Sequence, residues 1–302
     1  MALSDNIKAA LLMSLAMASF VCNDALVKSV TVALNTGQIL FVRGAISSVL
    51  IVILIRPMGI RFDFSMLFNR FLILRVAADT AATVTYILAL NSLPLGNATS
   101  ILQFMPLAVT LGAAIFLGEP VGWRRWSAII IGFVGVMVII RPGPEGFNSA
   151  AILALLCVAF AAARDLFTRK IPARIPSILV TAVTTIAITI TGAVLIAPMG
   201  GWQPVSGTIL LKLTVAAVLL LSGYQSIVSA MRTGEISFVA PFRYTGLLWA
   251  IALGFFAFGD IPDLYMLIGA AIVISSGLYT FYRENRRKAK ALAQSSLPRA
   301  MH

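Results

Sequence analysis

Apolar residues along this chain come in long runs parted by short polar breaks, without the two-residue alternation of a half-buried strand. Reading between charged or Pro/Gly breaks gives ten segments, at about 9–30, 37–55, 72–92, 97–117, 126–141, 149–168, 177–197, 208–230, 236–258 and 264–282. Each approaches the roughly 20 residues that a helix needs to cross a bilayer. Stretches such as 127–140 and 264–280 are apolar all round. Helices of that kind belong in lipid, whereas transmembrane barrel strands would alternate over about 10 residues. The pattern predicts an all-α polytopic membrane protein of ten transmembrane helices, with no loop long enough for a soluble domain. Ala16-Met17-Ala18 loosely resembles a signal cleavage site, but the run continues to Asp24 and Lys28, so the first segment reads as a retained span.

Composition agrees with the pattern. Of 302 residues, 60% are hydrophobic and 11% charged, against about 25% charged in a soluble domain. The net charge of +12 would suit nucleic acid, but its placement points elsewhere. With the amino terminus in the cytoplasm, 17 of the 23 Lys and Arg fall on the inner side: Lys8, Arg56, Arg61, Arg70, Arg75, Arg124, Arg125, Arg169, Lys170, Arg174, Arg232 and six in the tail from Arg283 to Arg299. Lys28, Arg141 and Lys212 fall outside, and Arg43, Arg164 and Arg243 within helices. This bias predicts both termini in the cytoplasm. The basic tail is then expected to touch anionic lipid, not nucleic acid.

Residues 1–143 and 147–283 read as two versions of one five-helix unit, followed by the tail at 284–302. Asp24-Ala25-Leu26-Val27-Lys28 ends the first helix, and Asp165-Leu166-Phe167-Thr168-Arg169 ends the sixth, 141 residues on. Gly118-Glu119 and Gly259-Asp260 repeat at the same offset. An odd number of helices per unit inverts the second copy. Inverted repeats are a mark of secondary transporters, whose sites lie near the midplane where the repeats meet. Pro106 in the fourth helix and Pro241 in the ninth each remove an N–H from the helix ladder, which predicts kinks lining a cavity.

Asp24, Asp79, Asp165, Arg43, Arg164 and Arg243 lie inside apolar spans. A charge there costs about 2.5–3.5 kcal/mol on insertion scales, so these groups are expected to pair within the bundle or to meet substrate. Asp24, Asp79 and Arg43 are candidates for coupling or gating. Gln103, Phe104, Arg243, Tyr244, Trp249 and Tyr224 are candidates for substrate binding, since aromatic faces stack on planar rings and an amide both donates and accepts. Tyr86 and Gln225 add to the cavity. Cys22 and Cys157 make neither a disulfide framework nor a metal site. No ATP-binding Gly-Lys motif occurs, and His302 is the only histidine, so no cofactor, metal or catalytic triad is expected.

The Gly118-Glu119-Pro120 run, Arg124-Arg125-Trp126 and Gly132-Phe133-Val134-Gly135 resemble the drug/metabolite transporter superfamily, and the repeat resembles its EamA domain over about residues 7–283. Asn23-Asp24 and Ala240-Pro241-Phe242-Arg243-Tyr244 resemble a bacterial branch with riboflavin and S-adenosylmethionine carriers. The resemblance implies a bacterial inner membrane, a central cavity lined by the fourth and ninth helices, and transport that is proton-linked or passive. Riboflavin uptake is the favoured expectation, its ring stacking on Phe104, Tyr244 or Trp249 and its polar groups bonding Gln103, Asp24 and Arg243. S-adenosylmethionine uptake comes next, then amino-acid or drug export. A membrane-embedded enzyme and a non-transporting scaffold are the alternatives of other kinds, and a homodimer stays open.

Overall fold

A computed structural model describes residues 5–55, 64–119, 122–141, 149–172, 174–234 and 236–295. Arg56, Arg61, Pro120, Arg299 and the junction between the proposed halves lie outside them. The helices are α1 (Asp5–Val30), α2 (Thr36–Ile55), α3 (Arg70–Ser92), α4 (Leu95–Leu102), α5 (Met105–Leu117), α6 (Trp123–Ile140), α7 (Ser149–Thr168), α8 (Ser177–Ile196), α9 (Gly207–Thr233), α10 (Ile236–Val239), α11 (Thr245–Phe258) and α12 (Leu264–Ser295). They supply ten stretches long and apolar enough to cross a membrane, and among the described residues there is no strand. The fourth span is α4 plus α5, and the ninth is α10, a 3-10 turn at Ala240–Tyr244, and α11. Only 22–44% of each span's core is buried. The rest is covered by outward apolar side chains such as Ile53, Phe116, Ile190, Leu211 and Phe256, as lipid contact requires.

The pairing of helices carries the repeat. Helix α1 packs on α9 and on α11; α7 packs on α3 and on α5. Helices α2 and α8, α6 and α12, and α4 and α11 pack on each other. Exchanging each span for the one five places along maps this set onto itself, which is the signature of two inverted five-helix units. Small residues hold the crossings close, since packing rather than hydrophobic exclusion drives helix association in lipid. Gly37 of α2 meets Gly192 of α8, and Gly135 of α6 meets Gly269 of α12, backbone against backbone. Gly223 of α9 leaves room for the Phe20 ring of α1.

Both expected kinks are present as breaks. In the fourth span, Gln103 and Phe104 form a turn between α4 and α5, with Pro106 at the start of α5. In the ninth, Pro241 opens the 3-10 turn, and α11 resumes at Thr245. Helices α5 and α11 end alike. Gly118 (φ 64°) and Gly259 (φ 69°) take the left-handed conformation, which a side chain would strain. The Glu119 N–H then donates to the Ala113 carbonyl at 3.2 Å, and the Asp260 N–H to the Gly254 carbonyl at 3.0 Å. These six-residue closures satisfy the last turn of each helix, and they lie 141 residues apart.

Candidate functional site

The charged residues inside the spans assemble into two clusters. Toward the end of the bundle away from the termini, Asp24 is held by neutral donors: the Asn23 amide at 2.8 Å and the Tyr86 hydroxyl at 2.8 Å. The Asn23 carbonyl oxygen in turn accepts from the Arg43 guanidinium at 3.2 Å. Asn23 (2% exposed) thus links an acid to a buried base, its amide serving one as donor and the other as acceptor. This cluster joins α1, α2 and α3.

The second cluster lies nearer the termini. Asp79 is bracketed by Arg75 at 3.3 Å, one turn earlier on α3, and by Arg164 of α7 at 3.1 Å. Arg164 also bonds Asp165 at 2.9 Å, and Arg75 donates to the Thr184 hydroxyl of α8. Met105, beside the break in the fourth span, places its sulfur 4.0 Å from Arg164. Arg243, on the 3-10 turn of the ninth span, is exposed yet within electrostatic reach of Asp165 and Arg164. Breaking a buried pair on one side costs about 3–5 kcal/mol, so paired placement is the stable arrangement for such groups.

Tyr224 connects the two clusters. It follows Ala217 by two helical turns, on the face of α9 that buries Leu213, Ala216 and Ala217 completely. Its ring stands edge-on to Phe20 of α1, with centroids 5.2 Å apart. It lies within electrostatic reach of Asp79, Arg164, Arg75 and Arg43. An inward side chain so placed should be covered, yet Tyr224 is 47% exposed. That exposure leaves its ring available beside Phe20 and the charged groups of both clusters.

The candidate residues therefore divide. Tyr224 is within electrostatic reach of Arg43 and Asp79, Asp24 of Arg43, and Arg243 of Asp165 and Arg164. Gln103 sits at the break in the fourth span, with its amide nitrogen buried and without a partner. Phe104 turns away: it is 6% exposed, 6.2 Å from the Phe133 ring, and part of the main apolar core. Tyr244 directs its hydroxyl at Gly277 of α12, whose missing side chain makes the room. Trp249 shares a flank of α11 with Phe256 (83% exposed), next to Leu248 (67% exposed), so it borders the lipid face. The charge pattern puts Arg75 with the inner-side charges, but it is a helical residue of the second cluster. Its four-residue spacing from Asp79 was the available signal. Phe20, the aromatic partner of Tyr224, carries no such signal, because an apolar residue in an apolar span does not show what it faces.

The EamA-like transporter family model matches the chain twice, over residues 7–141 and 148–282. A riboflavin transporter of Vibrio cholerae serotype O1 is 28% identical over 265 residues, covering 87% of this chain and 88% of the relative. An S-adenosylmethionine uptake transporter of Rickettsia bellii is 27% identical over 209 residues, covering 67% of this chain and 69% of the relative. One crystal structure, 17% identical, shares the fold with a TM-score of 0.63 over 92% of this chain and 98% of that one. Two family matches that together span most of the sequence, on a ten-span bundle whose halves repeat, place this chain in the EamA-like transporter family.

Proposed function

We propose that this transporter takes up riboflavin across a bacterial inner membrane, both termini cytoplasmic, by exposing the space around Tyr224 alternately to each side. The observation that carries the substrate choice is the charge around that space. Arg43, Arg75, Arg164 and Arg243 stand against Asp24, Asp79 and Asp165, one positive charge in excess. A site of that sign suits a neutral ring with imide and polyol groups better than a net cation. S-adenosylmethionine, with its sulfonium and ammonium, is the less favoured reading, although a relative is named for its uptake.

Within this reading the flavin ring lies against Tyr224 and Phe20, in place of the buried Phe104. Gln103 offers its unpartnered amide to the imide edge, and Arg243 bonds the polar groups. Asp24, hydrogen-bonded by the neutral donors Asn23 and Tyr86 with Arg43 one residue removed, is the group that gains and loses a proton in a coupled cycle. Asp79, fixed between two arginines, braces the halves. The reading is tested by labelled-riboflavin uptake in a riboflavin-requiring bacterium without its own importer, with Arg243→Ala alongside. Rescue at micromolar vitamin, lost in the variant at equal membrane expression, supports it. Absence of rescue by protein present in the membrane retires riboflavin, and the same cells then serve for S-adenosylmethionine.

A further inference from the structure

The repeat relates two charged pairs that the site does not use. At the 141-residue offset, Lys28 corresponds to Arg169, and Asp260 to Glu119. Their surroundings correspond as well: α3 ends at Ser92 and α9 at Thr233, while the fourth span begins at Leu95 and the ninth at Ile236. The two pairs lie at opposite ends of the bundle, and they are engaged differently.

At the end away from the termini, the Lys28 ammonium donates to the Leu90 carbonyl at 3.1 Å and to the Leu93 carbonyl. It lies 5.5 Å from the centre of the Phe258 ring and within electrostatic reach of Asp260. Asp260 accepts the Leu95 N–H at 3.4 Å. These contacts tie the ends of spans one, three, four and nine into a closed corner. At the end that carries the termini, Arg169 and Glu119 pair with each other at 3.2 Å, with 53% and 48% of their side chains exposed. The carbonyls equivalent to those of Leu90 and Leu93 belong to Met231 and Gly234, at the end of α9. Among the described residues, the bond of Arg169 goes to Glu119 instead.

We infer that Lys28 and Arg169 are the two gate residues of the transport cycle, each closing its own end by bonding the carbonyls that finish α3 or α9. The structure has the Lys28 gate shut and the Arg169 gate open. The other state follows from the repeat: Arg169 reaches Met231 and Gly234, Glu119 caps the start of the ninth span at Ile236, and the Lys28 corner opens. This assignment holds for any substrate, and its test uses none.

The test is labelling of Tyr224→Cys, with Cys22 and Cys157 replaced by Ala, by a membrane-impermeant maleimide offered from one side at a time. Lys28→Met should raise labelling from the side away from the termini at least five-fold, and Lys28→Arg, which keeps both bonds, should return it to baseline. Arg169→Met should lower labelling from that same side, because the opposite end can no longer shut. Asp260→Asn should act in the direction of Lys28→Met, which guards against a Lys28 variant that does not fold. General loosening would move both gate variants the same way. Equal or same-direction changes for Lys28→Met and Arg169→Met overturn the inference.

Discussion

Gly192→Ala places one methyl group where α2 and α8 cross. Its carbon would stand 2.4 Å from the Phe41 nitrogen, 2.8 Å from the Gly37 carbonyl oxygen and 2.9 Å from the Leu40 carbonyl carbon. All three are backbone atoms, so no side-chain rotation relieves the clash. Carbon contacts settle at about 3.5–4.0 Å, so the helices must part by about 1 Å, and a gap of that size forfeits a quarter to a half of each dispersion contact. Overpacking costs about 1–3 kcal/mol, and rigid backbone on the far side puts this site near 3. Alanine returns about 1 kcal/mol of helix propensity over glycine. The expected net loss is therefore about 2 kcal/mol. It is read as loss of monodisperse protein on heating in detergent, with Gly207→Ala, which meets no atom within 4 Å, as control. Gly37→Ala should cost a similar amount, since it meets the Ile196 nitrogen and the Leu195 carbonyl carbon at 2.7 Å. The double variant should cost less than the sum, because one substitution already opens the crossing. Gly192→Ala melting with the Gly207→Ala control would refute the close crossing.

Arg164→Leu strips one partner from Asp79 and the bonded partner from Asp165, and should cost about 2–3 kcal/mol, less than a fully buried pair because the Arg164 and Asp165 side chains stay 21% and 36% exposed. Arg164→Lys should recover only part in the same thermal assay, since one ammonium cannot reproduce the fork. Tyr224→Ala should raise KM for the transported substrate about ten-fold, from lost stacking of about 1–1.5 kcal/mol, whereas Trp249→Ala on the lipid flank should leave KM within about two-fold. The reverse order in an uptake titration would return Trp249 to the site. Outside the spans, the Met266 N–H at 2.7 Å and then Arg141 hold the Asp263 carboxyl below its ordinary value. A depressed carboxyl stabilises the fold above its unfolded value, near 3.9, and loses that effect as pH falls through the lower folded one. With about half of each side chain exposed, the effect should stay within about 0.5 kcal/mol, and Asp263→Asn should reduce the loss of unfolding free energy between about pH 5 and 2 by that amount.

The parts of this molecule that were legible in the sequence are those that a single helix decides. Span count follows from hydrophobic length alone, and Gly118 and Gly259 announce their helix ends because few other residues take a positive φ. The breaks at Gln103 and at Pro241 follow from a missing N–H. What a residue faces depends on a partner helix, and there the sequence is nearly silent. Phe104 and Tyr224 are both aromatic residues in apolar spans. One meets Phe133 in a closed core, and the other meets Phe20 beside four charged groups. Only the packing of α4 on α6 and α11, and of α9 on α1 and α2, separates them. Charges are the intermediate case. Their cost in lipid dictates that Asp79 must be paired, but not that Arg75 leaves the loop count to do it. The repeat is the one device that carries information between helices. It converts Lys28, read in one half, into an expectation about Arg169 in the other. In this structure the two are bonded differently, Lys28 to the Leu90 and Leu93 carbonyls and Arg169 to Glu119, and it is this asymmetry that the labelling experiment turns on.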